Sequence, residues 1–426
     1  MLNTRVANGA AMAESLPGKL SNLYVSADYR QLTLNSHFQP IFSISHRRPV
    51  GFEGLIRSQN QQGKSLSPAA LLTIPETSHD NLALDRLCRR LHMHNFSRQP
   101  NGEAWLFLNL NSQCLVAQRP DAGFMQALFD QTGLPPHRIV IEILESEIQD
   151  RQYLKDLIAH FRKMGCLIAI DDFGAGHSNF DRIWELAPDI VKIDRSLIYG
   201  AGQSSRVERI LTGIVSLIHE AGSLVVIEGV ETEREALVAI AANADMVQGY
   251  YFGKPQPAIQ LDNQFVETID ALLKHQQSQR FKNSHRLNLD FKKIETLFRQ
   301  AVSHFAISNA FDISSHLLFQ DRRAVRCYLL DEAGYQMARN VYSPNYQQQM
   351  DRRFTPLLSG DNANWSHKHY HFRAIEHPGQ MQISRPYLSV ADSRMCITVS
   401  QTVVVDDKLF VFCCDLDWLD DCAVQG

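Results

Sequence analysis

The stretches RIVIEILE (138–145) and CLIAIDD (166–172) decide the fold, because each is an apolar run of strand length that ends in carboxylates. Five further runs share this form: VGFEGL (50–55), AWLFLNLN (104–111), DIVKID (189–194), LVVIEG (224–229) and ADMVQG (244–249). Helix-like stretches separate the runs, and strands that alternate with helices are typical of a parallel α/β fold. The pattern predicts a TIM-like (β/α)8 barrel.

A set of polar residues stands at or near the ends of these runs: Glu53, Asn109, Glu142, Glu145, Asp171, Asp172, Lys192, Glu228 and Gln248. In a barrel, the carboxyl ends of the strands converge on one mouth, so we expect these side chains to form one cluster. Carboxylates packed that closely repel one another unless cations lie among them. The cluster therefore indicates a metal-dependent enzyme. Taken singly, each Asp or Glu could equally be a helix N-cap or a solvated loop residue.

The composition is that of an ordinary globular protein, with 426 residues, 44% of them apolar, 21% charged, and a net charge of −4. This charge predicts no nucleic acid polymer as a partner. No signal peptide and no apolar run of about 20 residues is visible, so we expect no membrane insertion and a cytoplasmic location. The eight cysteines form no CxxC pair and are expected to be free thiols.

Composition and hydrophobic pattern divide the chain into four segments. Residues 1–20 have the composition of a loose leader, and the strand and helix alternation covers 21–258. Helical patterns are clear at 82–96, 151–164 and 206–221, the last ending at Gly222 as a helix cap. Residues 259–310 read as a helical linker with a polar break at QRFKNSHR, and 311–426 are β-rich.

Residues 21–258 resemble the EAL domain, the fold of cyclic di-GMP phosphodiesterases. The resemblance is carried in order by FQPI (38–41), EGLIR (53–57), NLN (109–111), EILE (142–145), DDFGAG (171–176), KID (192–194), EGVE (228–231) and QGYYF (248–252). It implies hydrolysis of cyclic di-GMP to linear pGpG with two divalent cations, Mg²⁺ or Mn²⁺, and a homodimer.

The resemblance also assigns the ligands of these cations. The first cation would be bound by oxygen donors from Glu53, Asn109, Glu142 and Asp171. Asp171 would bridge to a second cation, which Asp172 also binds and which Glu228 reaches through a water. Carboxylates and amide oxygens are hard donors suited to such ions.

Further roles follow from the same resemblance. Lys192 corresponds to the lysine that contacts the attacking water, and it would act in catalysis with Glu53 and Glu228. The residues expected to support the ligands and the loop after Asp172 are Glu145, Glu231 and Gln248. The residues expected to contact the substrate are Gln39, Leu55 and Arg57.

The sequence departs from the family pattern without losing a metal ligand. Gly54 stands where the signature has alanine, which should loosen the strand slightly. The stretch SQNQQGKSLSP after Arg57 lacks a common aromatic and histidine-proline pattern, and His177 replaces an aromatic residue. We therefore expect an active enzyme. The alternative is a receptor or scaffold that binds cyclic di-GMP without hydrolysing it, or an enzyme that stays silent until its sensor is occupied.

The segment 311–426 resembles PAS-like or Cache-like sensor domains, which implies a central antiparallel sheet, an unknown small-molecule ligand and regulation of the barrel. The resemblance is carried by RPYLS (385–389), TVSQTV (398–403) and DLDW (415–418). Trp365, Tyr370 and Tyr387 either line a ligand pocket or belong to the core. The alternating run of His367, His369 and His371 would place three imidazoles on one strand face, as a metal site or a solvated face.

Overall fold

The computed structural model describes residues 24–110, 122–144, 151–176, 180–261, 264–344, 363–389 and 395–418. The chain divides into two compact units between Ser278 and Gln279. The predicted leader, together with Glu145 and His177, lies outside the described residues.

The first unit contains strands β1 to β10 and helices α1 to α8. The strands are β1 (Ala27–Tyr29), β2 (Leu32–Ser43), β3 (Arg48–Asn60), β4 (Ser65–Leu66), β5 (Trp105–Leu110), β6 (Ile139–Leu144), β7 (Leu167–Phe173), β8 (Ile190–Ile193), β9 (Leu224–Ile227) and β10 (Met246–Val247). The helices are α1 (Pro68–Leu72), α2 (Ser78–Ser97), α3 (Ala122–Thr132), α4 (Arg151–Met164), α5 (Asp181–Leu186), α6 (Arg195–Gln203), α7 (Ser205–Glu220) and α8 (Glu233–Ala241).

Eight strands close into the predicted TIM-like barrel. Strand β2 pairs with both β3 and β10, so the order β2-β3-β5-β6-β7-β8-β9-β10 returns on itself. Strands β1 and β4 extend the edges of β2 and β3. The barrel differs from an all-parallel one, because β2 runs antiparallel to both neighbours. Only residues 44–47 connect β2 to β3, which is enough for a hairpin but too short for a helical crossover.

The three helices predicted from periodicity are confirmed as α2, α4 and α7. In α4, Leu154, Leu157, Ile158 and Phe161 are buried against the outer face of β5, β6 and β7. This i, i+3, i+4, i+7 spacing is the stripe that a helix presents to a sheet. Helix α7 ends as predicted, since Gly222 adopts a φ of 89° and its N–H donates to the His219 carbonyl over 2.9 Å.

Gly54 lies on the face of β3 that contacts α2. A Cβ atom at this position would lie 2.9 Å from Cγ of the buried His92 and 3.2 Å from its Cβ. The imidazole therefore occupies the space that the methyl group of an alanine would need. The His92 ring is held by Ser36, whose Oγ lies 2.9 Å from Nδ1, and burial lowers its pKa to about 3.

The second unit contains part of α9 (Gln264–Ser308) and the helices α10 (Phe311–Leu318) and α11 (His369–Glu376). Its strands are β11 (Ala324–Asp331), β12 (Val341–Tyr342), β13 (Gln382–Ile383), β14 (Tyr387–Leu388), β15 (Met395–Val405) and β16 (Lys408–Asp417). They form an antiparallel sheet in the order β12-β11-β16-β15-β13, with β14 also paired to β15. The expected antiparallel sheet is thus present.

Two details of the second half differ from the sequence predictions. Helix α9 is continuous, so the polar break at QRFKNSHR does not end a helix, although the unit boundary falls at its first residue. The run with His369 and His371 begins α11 instead of a strand, and His371 is buried while His369 is exposed. The three imidazoles therefore share no strand face.

None of the described helices combines the length and the apolar character needed to cross a membrane.

The contact between Gly54 and His92 predicts the effect of restoring the alanine of the family signature. Gly54→Ala should lower the free energy of unfolding by about 1–3 kcal/mol, the usual cost of overpacking. Gly213→Ala in α7 is the matched control, because its Cβ would meet no atom within 4 Å. The control should stabilise the protein by up to about 1 kcal/mol. In a urea-unfolding double-mutant cycle, His92→Ala should abolish the cost at Gly54; an undiminished cost would contradict the assigned contact.

Candidate active site

Each barrel strand contributes one polar residue to a single layer at the mouth. An apolar layer inside the barrel contains Ile41, Phe107, Val140, Ala169, Ile190, Val226 and Met246. On each of these strands, the residue two positions closer to the mouth is polar. On β3 the corresponding position is two residues after Gly51. The polar residues are Gln39, Glu53, Asn109, Glu142, Asp171, Lys192, Glu228 and Gln248. Because side chains alternate along a strand, residues two apart share the inner face. Seven of the nine residues predicted to cluster at the mouth therefore lie in this layer, and Glu145 falls outside the described residues.

Lys192 lies at the centre of this layer and is 1% exposed. Its Nζ lies 2.5 Å from Glu142 Oε1, 3.3 Å from Asp171 Oδ1 and 3.5 Å from Glu53 Oε2. It also forms an ion pair with Glu228. One ammonium group therefore faces four carboxylates, which leaves the layer with an excess of negative charge.

Two amides orient Glu53 from either side. Asn109 Nδ2 donates to Glu53 Oε1 over 2.8 Å, and Gln248 Nε2 donates to Glu53 Oε2 over 2.8 Å. Since an amide that donates through nitrogen keeps its oxygen as an acceptor, both residues retain an oxygen that could bind a cation. The Gln248 Oε1 atom is buried and has no hydrogen-bond partner among the described residues.

An irregularity in β7 brings two consecutive aspartates to the mouth. The register between β7 and β8 shifts between Ile170 and Phe173, and Asp172 adopts a φ of 57°. In a regular strand, Asp171 and Asp172 would point to opposite faces, whereas a bulge redirects one of them. As a result, carboxylate oxygens of Asp171, Asp172 and Glu228 lie within 4.8 Å of one another.

These donors fit divalent cations. Asp171, Asp172 and Glu228 offer three oxygen ligands in one group, which is the set expected for the second cation. Next to it, Glu142 Oε2 is buried without a hydrogen-bond donor among the described residues. A buried carboxylate oxygen without a partner is costly, and a cation would satisfy it.

The pKa values reflect this crowding of charge. Burial and the neighbouring carboxylates raise the pKa of Glu142 well above its usual value and that of Glu228 to about 8. Burial and Asp171 raise the pKa of Asp172 to about 6. For Lys192, burial opposes the charged form, but the surrounding carboxylates outweigh it and raise its pKa.

The remaining signature residues share the inner face of β3. Leu55 and Arg57 lie two and four residues after Glu53 on β3. Gln39 lies on β2, directly opposite Glu53. Leu55 also lines a cavity of about 490 Å³ beside Asn109. Arg57 is half-buried. Among the described residues, its guanidinium donates one hydrogen bond, from Nη1 to the adjacent Ile56 carbonyl. Gln39 Nε2 donates to the Gly253 carbonyl over 3.2 Å.

Two residues that line this cavity were not predicted from the sequence. Asp85 and Arg89 on α2 line it and form a buried ion pair with each other, and Arg89 also lies over the Phe124 ring. The signal available in the sequence was an acid and a base spaced i, i+4 inside the apolar pattern of 82–96. Buried charges of this kind occur mainly in pairs.

Glu231 does not join the cluster. Its side chain is exposed, and its backbone N–H donates to Glu235 Oε2 over 2.8 Å. Glu235 also accepts from the Thr232 N–H and so completes a capping box at the start of α8. The buried carboxylate that holds the loop after Glu228 is therefore Glu235, which the sequence reading did not single out.

The family model of the EAL domain matches residues 25–255. The chain belongs to the EAL-domain family.

Two relatives match the chain to different extents. The uncharacterized EAL-domain containing protein YkuI of Bacillus subtilis is 27% identical over 403 residues, which covers 88% of this chain and 92% of YkuI. The cyclic di-GMP phosphodiesterase RocR of Pseudomonas aeruginosa is 28% identical over 226 residues, which covers 52% of this chain and 57% of RocR. Another relative, an uncharacterized protein of Azorhizobium caulinodans, is 30% identical, but the match covers only 32% of its length.

A crystal structure of B. subtilis YkuI, solved with substrate c-di-GMP and calcium, matches the fold with a TM-score of 0.75. The sequences are 23% identical in this comparison, which covers 90% of this chain and 96% of that one. The likeness shows that the fold of both halves is shared.

The raised pKa of Glu228 predicts how stability depends on pH. Because the folded protein holds a proton on Glu228 up to about pH 8 while the unfolded chain loses it near the ordinary glutamate pKa, this residue should lower stability as pH rises between these values. Glu228→Gln, which cannot ionise, should therefore stabilise the metal-free protein at pH 8 and change it little at pH 4. Thermal unfolding measures both.

Added Mn²⁺ should raise the unfolding temperature of the wild type more at pH 8 than at pH 5, because ligands must lose their protons to bind a cation. The Glu228→Gln variant should show a smaller shift. Equal shifts in both proteins would contradict the place of Glu228 among the ligands.

Proposed function

We propose that the protein hydrolyses cyclic di-GMP to linear pGpG with the help of two divalent cations, Mg²⁺ or Mn²⁺. The observation that carries the proposal is the polar layer around Lys192, where the family's metal-ligand positions converge. The name of RocR, a cyclic di-GMP phosphodiesterase related to this chain, supports the choice of substrate.

The donor set suits the hydrolysis of a phosphodiester. Glu53, Asn109, Glu142 and Asp171 would hold one cation, and Asp171, Asp172 and Glu228 the other. The bound cations would neutralise charge on the phosphate oxygens and lower the pKa of the attacking water.

Lys192 supplies a hydrogen-bond donor that belongs to the protein itself and not to a bound cation. Its ammonium group is held charged by its carboxylate neighbours, and it is placed at the centre of the polar layer. There it would donate a hydrogen bond to the attacking water and fix its lone pair toward phosphorus. Because the group stays protonated, its role is to orient the water and to stabilise the hydroxide that forms, not to remove the proton.

Residues on the inner face of β3 would bind the nucleotide. Arg57 offers a guanidinium fork that is not used in an ion pair among the described residues, and such a fork matches two phosphate oxygens. Leu55 and the cavity beside it offer an apolar surface for a guanine ring. Gln39 would complete the contacts from β2.

The second unit would regulate this activity as a PAS-like or Cache-like domain, and the protein would act as a homodimer. Both proposals rest on the resemblances found in the sequence. Comparing turnover by the full chain with turnover by a chain that ends at Ser278 tests the first, and light scattering tests the second.

Turnover of cyclic di-GMP should require a divalent cation and Glu53. Glu53→Gln should lower kcat by about a hundredfold or more, because it removes a charged ligand while keeping the shape. Glu103→Gln is the control, since Glu103 is exposed and precedes β5 at the opposite end of the barrel. The measurement is pGpG formation with Mg²⁺ or Mn²⁺.

Two outcomes of this assay contradict the proposal. Full activity of Glu53→Gln would refute the role of that residue. Absence of turnover by the full-length dimer, together with tight binding of cyclic di-GMP in metal-free buffer, would instead identify a receptor.

Arg57→Lys should raise KM for cyclic di-GMP about tenfold or more with a smaller change in kcat, because lysine keeps the charge but loses the paired hydrogen bonds. An unchanged KM would show that Arg57 does not contact the nucleotide. Steady-state kinetics with saturating Mn²⁺ measures both constants.

A further inference from the structure

The second unit contains a cavity of about 560 Å³ between the start of α11 and the segment that joins β13 to β14. This volume is within the range of pockets that hold small organic ligands. The residues that line it and matter here are Lys368, Tyr370, Arg373, Ile383, Arg385 and Tyr387. All of its lining residues in the described part of the chain belong to this unit.

The cavity has an excess of positive charge. Lys368, Arg373 and Arg385 line it, and none of its lining residues within the described ranges is acidic. Within the described part of the chain, no carboxylate forms an ion pair with any of the three. Cations that converge on a concave surface without counter-charges attract an anion, and two guanidinium groups are suited to a carboxylate or a phosphate.

The apolar part of the cavity is a pair of tyrosines. The rings of Tyr370 and Tyr387 are stacked with centroids 6.0 Å apart and an interplanar angle of 29°. Ile383 and Pro386 line the cavity beside them. Tyrosine rings and a proline ring form a surface against which a planar ring packs well.

Tyr387 is fixed before any ligand binds. Its hydroxyl lies 2.6 Å from Thr398 Oγ1 and donates to Asp415 Oδ1 over 3.4 Å. Asp415 is 2% exposed and is paired with Arg326, whose Nε donates to its Oδ2 over 2.8 Å. Because the hydroxyl is used inside the protein, the ring is the part available to a ligand. A wall held in place by a buried network loses little entropy on binding.

We propose that this cavity binds a small organic anion that carries a planar ring. Arg373 and Arg385, with Lys368 beside them, hold the carboxylate or phosphate group. Tyr387 and Tyr370 pack against the ring. The proposal does not depend on the activity of the barrel, so either can fail without the other.

The test is a calorimetric titration of the full-length protein at constant ionic strength in metal-free buffer, with phenyl phosphate, inorganic phosphate and phenol as probes. Phenyl phosphate should bind at least about tenfold more tightly than either fragment, because only it engages both the arginines and the rings. Arg373→Gln and Arg385→Gln should each weaken its binding about tenfold, the loss expected for a charge-assisted hydrogen bond.

Arg322→Gln is the matched control, because Arg322 is exposed in the same unit and does not line the cavity. It should leave binding unchanged. Tyr387→Leu should weaken phenyl phosphate but not inorganic phosphate, and thermal unfolding shows whether each variant is folded. The arginine variants alter exposed residues and decide the result even if Tyr387→Leu does not fold.

Three results overturn the proposal. The first is absence of binding by all three probes. The second is equal weakening by Arg322→Gln and by the cavity variants, which would indicate unspecific attraction. The third is binding that survives Arg373→Gln and Arg385→Gln but is lost in Arg57→Gln, which would locate the anion at the barrel mouth.

Discussion

The barrel mouth depends on the pairing of one buried ammonium group, that of Lys192, with four carboxylates. Four negative charges against one positive charge cannot all persist out of water without further compensation. In the absence of cations, protons supply part of it, which is why the pKa values of Glu142 and Glu228 are raised. The same imbalance that costs stability would favour divalent cations at the proposed metal site. Stability and the proposed function are therefore opposed at this layer.

The barrel architecture creates this imbalance from residues far apart in the chain. Hydrogen-bonded strands hold one apolar layer and, two residues further on, one polar layer. The apolar layer supports the polar one and keeps water from reaching it from below. Local irregularities then adjust the polar side chains: the bulge in β7 redirects Asp172, and the reversed direction of β2 places Gln39 opposite Glu53.

The second unit also has uncompensated charge on a concave surface, but there the charge is positive. Its buried pair of Arg326 and Asp415 is balanced and fully inside, and it serves to fix the tyrosine wall. The cavity beside it is lined by three cationic side chains and, among the residues that the structure describes, by no acidic one, so it is complementary to an anion. In both units, the uncompensated charge on a concave surface, and not the fold as such, indicates what the site binds.

The sequence alone determined seven of the eight barrel strands, the helices α2, α4 and α7 and most of the polar residues at the mouth, because period and spacing are local properties. Its motifs determined the family. It did not determine the direction of β2, the bulge at Asp172 or the contact of Gly54 with His92, since each depends on a partner distant in the chain. The polar break in α9 marked the boundary between the units but not the end of the helix. Helical hydrogen bonds are local and tolerate polar side chains, whereas apolar periodicity reports tertiary packing. Only the tertiary structure could decide what those residues pack against.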